Sequence, residues 1–335
     1  MDTGLERLFR HGGDINAARA VFPHAPEPWI DLSTGINPEP YPLPAFDVAA
    51  WSRLPSPSDV EDLQAVAAAR FGCARNQVVV APGTQALLQW LPYLFPARSV
   101  AISGPTYGGH ASAWAAAGAQ IVESGVAHEI VVNPNNPDGR RIPLADLRAR
   151  AERLRLLVVD EAFADFEPES LAADPPPNTV ILRSLGKTYG LAGARLGFAI
   201  ARESLARRLR EALGPWAVGG PVLAIGHAAL ADKAWLEAAR ARLTQGAAWL
   251  DAQLEAAGFA VVAGTPLFRL AQKADARRAF HRLGEAGVLV RPFDYRPDWL
   301  RFGIPRAQDR ERVAAVLQAA RPSPDDGWPS PLKSL

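Results

Sequence analysis

The feature that most constrains the fold is a series of short apolar segments, alternating with helical segments, between residues 78 and 200. The apolar segments lie at 78–81, 100–103, 120–123, 129–132, 156–159, 179–183 and 195–199. Helical segments separate several of them, at 85–94, 110–117 and 144–153. Continuous apolar strands between helices are typical of a mostly parallel sheet that is covered on both faces. We therefore predict an α/β domain with a mostly parallel, seven-stranded sheet.

The segments on either side have different patterns. Residues 1–45 are rich in proline and glycine, which predicts an extended arm with a short helix at 14–21. After residue 204, long helical stretches precede four strand-like runs, which predicts a smaller α+β domain. We predict an N-terminal arm that joins the small domain, then a large domain, a small domain and a loose tail. Their bounds are 1–45, 46–220, 221–321 and 322–335.

Composition excludes several classes of protein. With 36 basic and 35 acidic residues, the net charge of +1 gives no case for binding nucleic acid or an anionic membrane. The single cysteine, Cys73, rules out an intramolecular disulfide, and we predict no metal site. The most apolar stretch, 86–102, is interrupted by proline and arginine and cannot span a bilayer. Without a signal peptide at the N-terminus, we expect a soluble, cytoplasmic protein.

The strongest chemical signal is a lysine in the segment from Arg183 to Gly197. Lys187 lies in a predicted Ser/Gly-rich loop between two strands, and Arg195 follows eight residues later. A lysine amine forms an imine with the cofactor pyridoxal phosphate, and nearby hydroxyls and cations suit the cofactor's phosphate. Taken alone, a lysine in such a loop is more often a solvated surface residue.

An acidic pair, Asp160 and Glu161, follows the apolar strand at 156–159. Ligands of open α/β sheets bind at the carboxyl ends of strands, and a buried carboxylate needs a cationic partner. A protonated pyridine nitrogen is such a partner. Taken alone, Asp160 also fits a helix N-cap, and the pair fits a Mg²⁺ site.

Two turns complete the pattern. Residues 133–139 form a proline-rich turn that offers asparagine side chains, among them Asn136, although a plain turn explains the same residues. Gly83 and Thr84 stand where a strand joins a helix, and helix N-termini bind phosphate through their N–H groups. By itself this second signal is weak.

Together, the order and spacing of these four segments resemble the fold-type I pyridoxal-phosphate enzymes of the aspartate-aminotransferase superfamily, over nearly the whole chain. The resemblance implies a homodimer in which Lys187 is the Schiff-base lysine and Asp160 pairs with the pyridine nitrogen. It also implies that Asn136 bonds the ring hydroxyl, that Tyr107 stacks on the ring and that Arg301 binds the substrate carboxylate. The implied phosphate cup consists of Gly83, Thr84, Ser184 and Arg195.

The chain departs from the superfamily's pattern at three places. Phe163, which we include among the predicted cofactor-binding residues, stands where many aminotransferases have a tyrosine that bonds the ring hydroxyl. Gly186 replaces a common serine or threonine before the lysine. The tyrosine usually lent by the partner subunit has no counterpart, since residues 53–56 read Arg-Leu-Pro-Ser.

Within the superfamily, the chain resembles the branch that holds histidinol-phosphate aminotransferases and L-threonine-O-3-phosphate decarboxylases. The arm, with residues 11–14 (His-Gly-Gly-Asp) and 31–38, resembles that of the decarboxylases of cobalamin biosynthesis. The implied substrate is a small phosphorylated amino acid. Two arginines on neighbouring strands, Arg291 and Arg301, suit its phosphate and carboxylate. The predicted substrate-binding residues are His11, Gly35, Asn37, Arg291 and Arg301.

Several of these residues also fit other roles. His11 also fits an ordinary turn residue, Arg291 a strand-edge salt bridge and Arg301 a surface arginine on an edge strand. We favour the decarboxylase over a histidinol-phosphate or related aminotransferase. A catalytically idle protein of the same fold is a third reading, and the presence of Lys187 and Asp160 argues against it. Decarboxylation and α-proton loss differ in which Cα bond stands perpendicular to the cofactor ring, which the sequence does not resolve.

Overall fold

The computed structural model describes residues 4–45 and 47–319. The predicted loose tail, 322–335, lies outside these residues. The helices are, in chain order, α1 (Gly4–Arg10), α2 (Ile15–Val21), α3 (Ala49–Ser52), α4 (Pro57–Phe71), α5 (Thr84–Leu94), α6 (Gly108–Ala116), α7 (Leu144–Arg153), α8 (Leu185–Thr188), α9 (Glu203–Leu213), α10 (Gly220–Ala231), α11 (Lys233–Ala256), α12 (Ala276–Glu285) and α13 (Arg310–Ala319). The strands are β1 (Ile30–Asp31), β2 (Val78–Ala81), β3 (Ser99–Ile102), β4 (Gln120–Val122), β5 (His128–Val132), β6 (Leu156–Asp160), β7 (Thr179–Ser184), β8 (Gly197–Ile200), β9 (Ala260–Thr265), β10 (Phe268–Gln272), β11 (Val288–Leu289), β12 (Arg291–Pro292) and β13 (Trp299–Gly303).

The main sheet has seven strands in the order β2-β8-β7-β6-β5-β3-β4, which confirms the predicted α/β class. Strand β8 runs antiparallel to both of its neighbours, and the other pairs are parallel. Alternate residues of a strand enter two separate apolar cores: Leu157 and Val159 belong to one, Leu156 and Val158 to the other. Because both faces are buried, the strands are continuously apolar rather than alternating.

A second, antiparallel sheet is built from the C-terminal part of the chain, with the order β12-β13-β10-β9. The arm reaches this part of the molecule, because β1 pairs in parallel with β11 through Ile30 and Val288. This pairing is consistent with an arm that belongs to the small domain. The boundaries at residues 45, 220 and 321 stay a prediction.

The structure corrects several local expectations. Lys187 lies on the one-turn helix α8 rather than in a loop. The arm contains an additional helix, α1, which packs against α2. Strand β8 begins at Gly197, not at residue 195, because Arg195 takes the left-handed conformation with φ of 52°. Among the residues described, no helix is long and apolar enough to cross a membrane.

Candidate active site

A cavity of about 210 Å³ lies where β6 and β7 end, at the carboxyl edge of the main sheet. The residues that follow parallel strands lie together at this edge of the sheet, which is where open α/β sheets bind ligands. All nine residues that we predicted to bind the cofactor line the cavity: Gly83, Thr84, Tyr107, Asn136, Asp160, Phe163, Ser184, Lys187 and Arg195.

Asp160, the last residue of β6, is buried in the wall of this cavity. Its Oδ1 accepts a hydrogen bond of 3.0 Å from the Ala162 N–H, and its Oδ2 lies 2.9 Å from Nε2 of His110. No helix begins at Asp160, so the N-cap alternative is wrong. The two partners fix the orientation of a carboxylate that is otherwise costly to bury.

Glu161 does not share the cavity of its neighbour. Its carboxylate is 2.9 Å from Nη1 of buried Arg183 and accepts a 2.5 Å hydrogen bond from Ser170. Arg183 also bonds Asp165 at 2.6 Å. The acidic pair is therefore divided between the cavity and an internal ionic cluster, and no metal-binding group of His, Cys, Asp and Glu side chains forms among residues 4–45 and 47–319. This arrangement argues against the Mg²⁺ alternative.

Lys187 lines the cavity, with its Nζ 5.7 Å from the centre of the Phe163 ring. Burial lowers the pKa of Lys187 from 10.5 to about 8, and the positive charge of Arg301 adds to this effect. Asp160 acts in the opposite direction but does not reverse the shift. The amine is thus neutral, and nucleophilic, in a far larger fraction of molecules than an exposed lysine.

This pKa predicts how apoenzyme reacts with pyridoxal phosphate. The neutral amine is the reactive form, so attachment to Lys187 should accelerate with rising pH and reach half of its maximal rate near pH 8. Borohydride trapping at a series of pH values, followed by peptide mass spectrometry, measures this rate. A rate of attachment to Lys187 that keeps rising well above pH 8 without levelling off would contradict the prediction.

One end of the cavity is a cup of hydrogen-bond donors. Thr84 opens helix α5, Ser184 ends β7, and the Arg195 guanidinium lies beside Gly83. Gly83 has φ of 81°, and a Cβ there would lie 2.8 Å from Nη2 of Arg195, so only glycine leaves this space open. Helix N–H groups, two hydroxyls and a guanidinium together suit a phosphate group.

Tyr107 and Asn136 form the side of the cavity between this cup and Asp160. The Tyr107 hydroxyl donates to Oε1 of Gln85 over 3.1 Å, and its ring meets the His110 ring edge-on. The Asn136 Oδ1 accepts a hydrogen bond from Nη1 of Arg301. Asn136 therefore connects this cavity with a second one.

The second cavity, of about 380 Å³, shares Tyr107, Asn136, Phe163 and Lys187 with the first. Four of the five predicted substrate-binding residues line it: His11, Gly35, Arg291 and Arg301. Arg291 and Arg301 are directly opposite each other on β12 and β13. Gly35 brings the arm against Phe163, because a Cβ at residue 35 would lie 3.0 Å from that ring.

The two arginines are held differently. Arg301 is buried on β13, an inner strand, and its Nη2 donates to the Ser33 carbonyl over 2.8 Å. Arg291 donates from Nη1 and Nη2 to the carbonyls of Leu8 and Arg10 on the arm, at 2.6 and 2.7 Å. Arg301 is thus not a surface residue of an edge strand, and these two hydrogen bonds of Arg291 go to backbone carbonyls rather than to a carboxylate.

Asn37 does not line either cavity. It is buried behind Lys187, with its Nδ2 donating to the Thr188 carbonyl over 2.9 Å and its N–H donating to the Lys187 carbonyl over 2.9 Å. The structure thus places Asn37 where it supports helix α8, not where a substrate would touch it.

Sequence reasoning missed three residues of the site: His110, Gln85 and Tyr295. His110 follows Tyr107 by three residues at the start of α6, and this helical spacing places both side chains on one face. That spacing is the sequence feature from which His110 could have been predicted as a site residue. Gln85 follows the Gly83-Thr84 pair, and Tyr295 gave no signal beyond its nearness to Arg291.

Comparisons with known proteins show the family to which the chain belongs. The family model for aminotransferase class I and II matches residues 124–319. The chain is 44% identical to a threonine-phosphate decarboxylase of Sinorhizobium sp over 326 residues, covering 92% of this chain and 97% of the relative. It is 38% identical to a threonine-phosphate decarboxylase of Pseudomonas aeruginosa, covering 89% and 93%. A histidinol-phosphate aminotransferase of Symbiobacterium thermophilum is 35% identical, with 73% and 70% covered.

Among solved structures, the fold is similar to histidinol-phosphate aminotransferase from Sinorhizobium meliloti in complex with pyridoxal-5'-phosphate, at a TM-score of 0.79. The two chains are 19% identical, and 91% and 93% of them are covered. The chain belongs to the class I and II aminotransferase family, whose members are pyridoxal-phosphate enzymes. The cavity fits this cofactor, because it offers a phosphate cup, a buried carboxylate and a lysine amine of lowered pKa.

Proposed function

We propose that this protein is an L-threonine-O-3-phosphate decarboxylase that releases CO₂ and (R)-1-amino-2-propanol O-2-phosphate. The observation that carries the proposal is the pair Arg291 and Arg301 in a cavity that opens onto Lys187. Two cations suit a substrate with a phosphate and a carboxylate. The similarity to two threonine-phosphate decarboxylases over about nine-tenths of the chain supports this choice.

The cofactor is held by residues at three places in its cavity. Gly83, Thr84, Ser184 and Arg195 bind its phosphate, Asp160 bonds its pyridine nitrogen, and Lys187 attaches it covalently. When bound, pyridoxal phosphate accepts the electron pair left behind as a Cα bond of the amino acid breaks. His110 holds the Asp160 carboxylate in place for its role.

The substrate's two anionic groups go to different arginines. Arg301 bonds Asn136 and interacts electrostatically with Lys187, so it lies where the carboxylate of the reacting amino acid must be. Its Nε–H has no hydrogen-bond partner among the residues described, which leaves a donor for an anion. Arg291 and His11 are at the arm side of the cavity and take the phosphate.

Lys187 has a second task after CO₂ has left. Its amine lines both cavities, and a pKa of about 8 lets Nζ carry a proton or release it near neutral pH. We assign to Nζ the proton that replaces CO₂ at Cα. No keto acid takes part in this reaction, since the amino group stays on the product.

A comparison of substrates tests the proposal. Holoenzyme with L-threonine O-3-phosphate should form the amino-alcohol phosphate at a rate that added 2-oxoglutarate does not change. Unphosphorylated threonine should be worse by at least about 100-fold in kcat/KM, because buried cationic donors are then left unpaired. The matched reaction is histidinol phosphate with 2-oxoglutarate. Glutamate formation there, without turnover of threonine phosphate, would move the assignment to the aminotransferase.

We further propose that the enzyme is a cytoplasmic homodimer and supplies the linker of the cobalamin nucleotide loop. Support for a dimer comes from exposed apolar side chains, Trp51, Leu54 and Trp216, which are 72%, 69% and 58% accessible. Trp216 also borders a cavity of about 470 Å³ on the outside of the main domain. Exposed aromatic residues of this size are typical of protein interfaces.

A further inference from the structure

We infer that the hydroxyl of Tyr295 donates a hydrogen bond to the substrate's phosphate and selects for phosphorylated substrates. This assignment rests on the proposed function, since it presumes a phosphorylated substrate in the cavity of Arg291 and Arg301. No residue pattern in the sequence pointed to this tyrosine. Its position, its surroundings and its free hydroxyl carry the inference.

Tyr295 lies in the connection between β12 and β13, the strands that carry the two arginines. It lines the substrate cavity together with both of them and with His11. It does not line the cofactor cavity, whereas Lys187 lines both cavities. Among the charged groups that act on Tyr295, Arg291, which we assign to the phosphate, has the largest effect.

The connection that carries Tyr295 is firmly held. Arg296, the next residue, makes two 3.0 Å hydrogen bonds to the Asp298 carboxylate and lies 4.0 Å above the Trp299 ring. Gln272 on β10 donates to the same carboxylate over 2.7 Å. These contacts tie the residues that follow Tyr295 to the neighbouring strand, and the Tyr295 ring itself packs against Phe293, with the ring centroids 5.5 Å apart.

The chemistry of the site calls for a further donor. Both terminal nitrogens of Arg291 already bond arm carbonyls, which leaves fewer N–H groups for a phosphate with three terminal oxygens. Tyr295 is 54% exposed, and no hydrogen bond ties its hydroxyl to another residue of the described part of the chain. Burial raises the pKa of Tyr295, although Arg291 and Arg301 oppose the shift, so the hydroxyl keeps its proton and can donate it.

The test compares Tyr295→Phe with the native holoenzyme. The change should raise KM for L-threonine O-3-phosphate by about tenfold, and the effect on KM should exceed that on kcat. The preference for phosphorylated over unphosphorylated threonine should shrink by the same factor. Tyr93→Phe is the matched control, because Tyr93 is an exposed tyrosine on α5 that lines neither cavity; it should leave both values as they are.

Calorimetric titration with inorganic phosphate gives a readout that is independent of turnover. In the holoenzyme the cup already holds the cofactor's phosphate, so added phosphate reports on the substrate cavity. Its Kd should rise about tenfold in Tyr295→Phe and stay constant in Tyr93→Phe. The inference would be overturned by a Kd for phosphate that stays constant in Tyr295→Phe, or by an equal loss of kcat/KM with phosphorylated and with unphosphorylated threonine.

The same titration separates this inference from the proposed function. Were the native enzyme to transaminate histidinol phosphate and leave threonine phosphate untouched, the proposed function would fail. Even then, a weaker affinity of Tyr295→Phe for inorganic phosphate would show that the hydroxyl binds the phosphate group of the substrate, whichever phosphate monoester that substrate is.

Discussion

Replacing Lys187 with alanine removes the covalent attachment of pyridoxal phosphate and lowers turnover by about 10⁴-fold or more. Two losses combine: the amine that binds the cofactor is gone, and so is the group that returns a proton to Cα. General acid–base catalysis alone typically contributes about 10²–10⁴-fold. Borohydride reduction followed by peptide mass spectrometry measures the attachment, and an assay with threonine phosphate measures turnover.

Lys233→Ala is the control for this change, since Lys233 is an exposed lysine at the start of α11. That variant should keep its cofactor and its activity. The prediction would be contradicted if Lys187→Ala bound the cofactor covalently at another lysine and kept native turnover. Lys187 would then have no role in catalysis.

Changing Asp160 to asparagine should leave the cofactor attached to Lys187 but reduce kcat by about 10²–10³-fold, the range seen when one oriented electrostatic contact is removed from an active site. The amide has nearly the shape of the carboxylate but no charge. It cannot stabilise a positive pyridine nitrogen, so the cofactor becomes a weaker electron acceptor. Cofactor content and kcat, measured on the same sample, test this separation.

Asp174→Asn is the matched control, because Asp174 pairs with Arg148 and Arg202 at the surface, where its side chain is 60% exposed. It should have near-native kcat, since surface ion pairs contribute only about 0–1 kcal/mol. Native turnover in Asp160→Asn would show that no charge at this position is needed. Loss of the cofactor itself would assign Asp160 to binding rather than to catalysis.

Much of the fold was predictable because one physical cause governs it. Strands covered on both faces are continuously apolar, and six of the seven predicted segments match the main sheet to within one residue. The seventh predicted segment begins two residues before β8, because Arg195 adopts a left-handed conformation that its residue type does not reveal. Helix α8 was missed for a similar reason: its four residues, 185–188, are too few to show periodicity.

The candidate site was predictable to the extent that its residues follow strands. Asp160, Asn136 and Ser184 stand at or just after strand ends, and topology brings such residues together at one edge of the sheet. The roles of Asn37 and His110 depend instead on tertiary contacts, which form only when distant parts of the chain pack together. Asn37 bonds the backbone of Thr188, 151 residues away, and His110 meets Asp160 across 50 residues. No spacing rule connects residues so far apart.

The central claim is that this enzyme removes CO₂ from a phosphorylated amino acid and keeps the amino group on the product. The most direct measurement supplies holoenzyme with carboxyl-labelled L-threonine O-3-phosphate, in excess over active sites and without a keto acid. We expect the label to leave as CO₂ over many turnovers, with one amino-alcohol phosphate formed for each CO₂. Retention of the label, with no more than one keto acid formed for each active site, would contradict the claim and identify an aminotransferase.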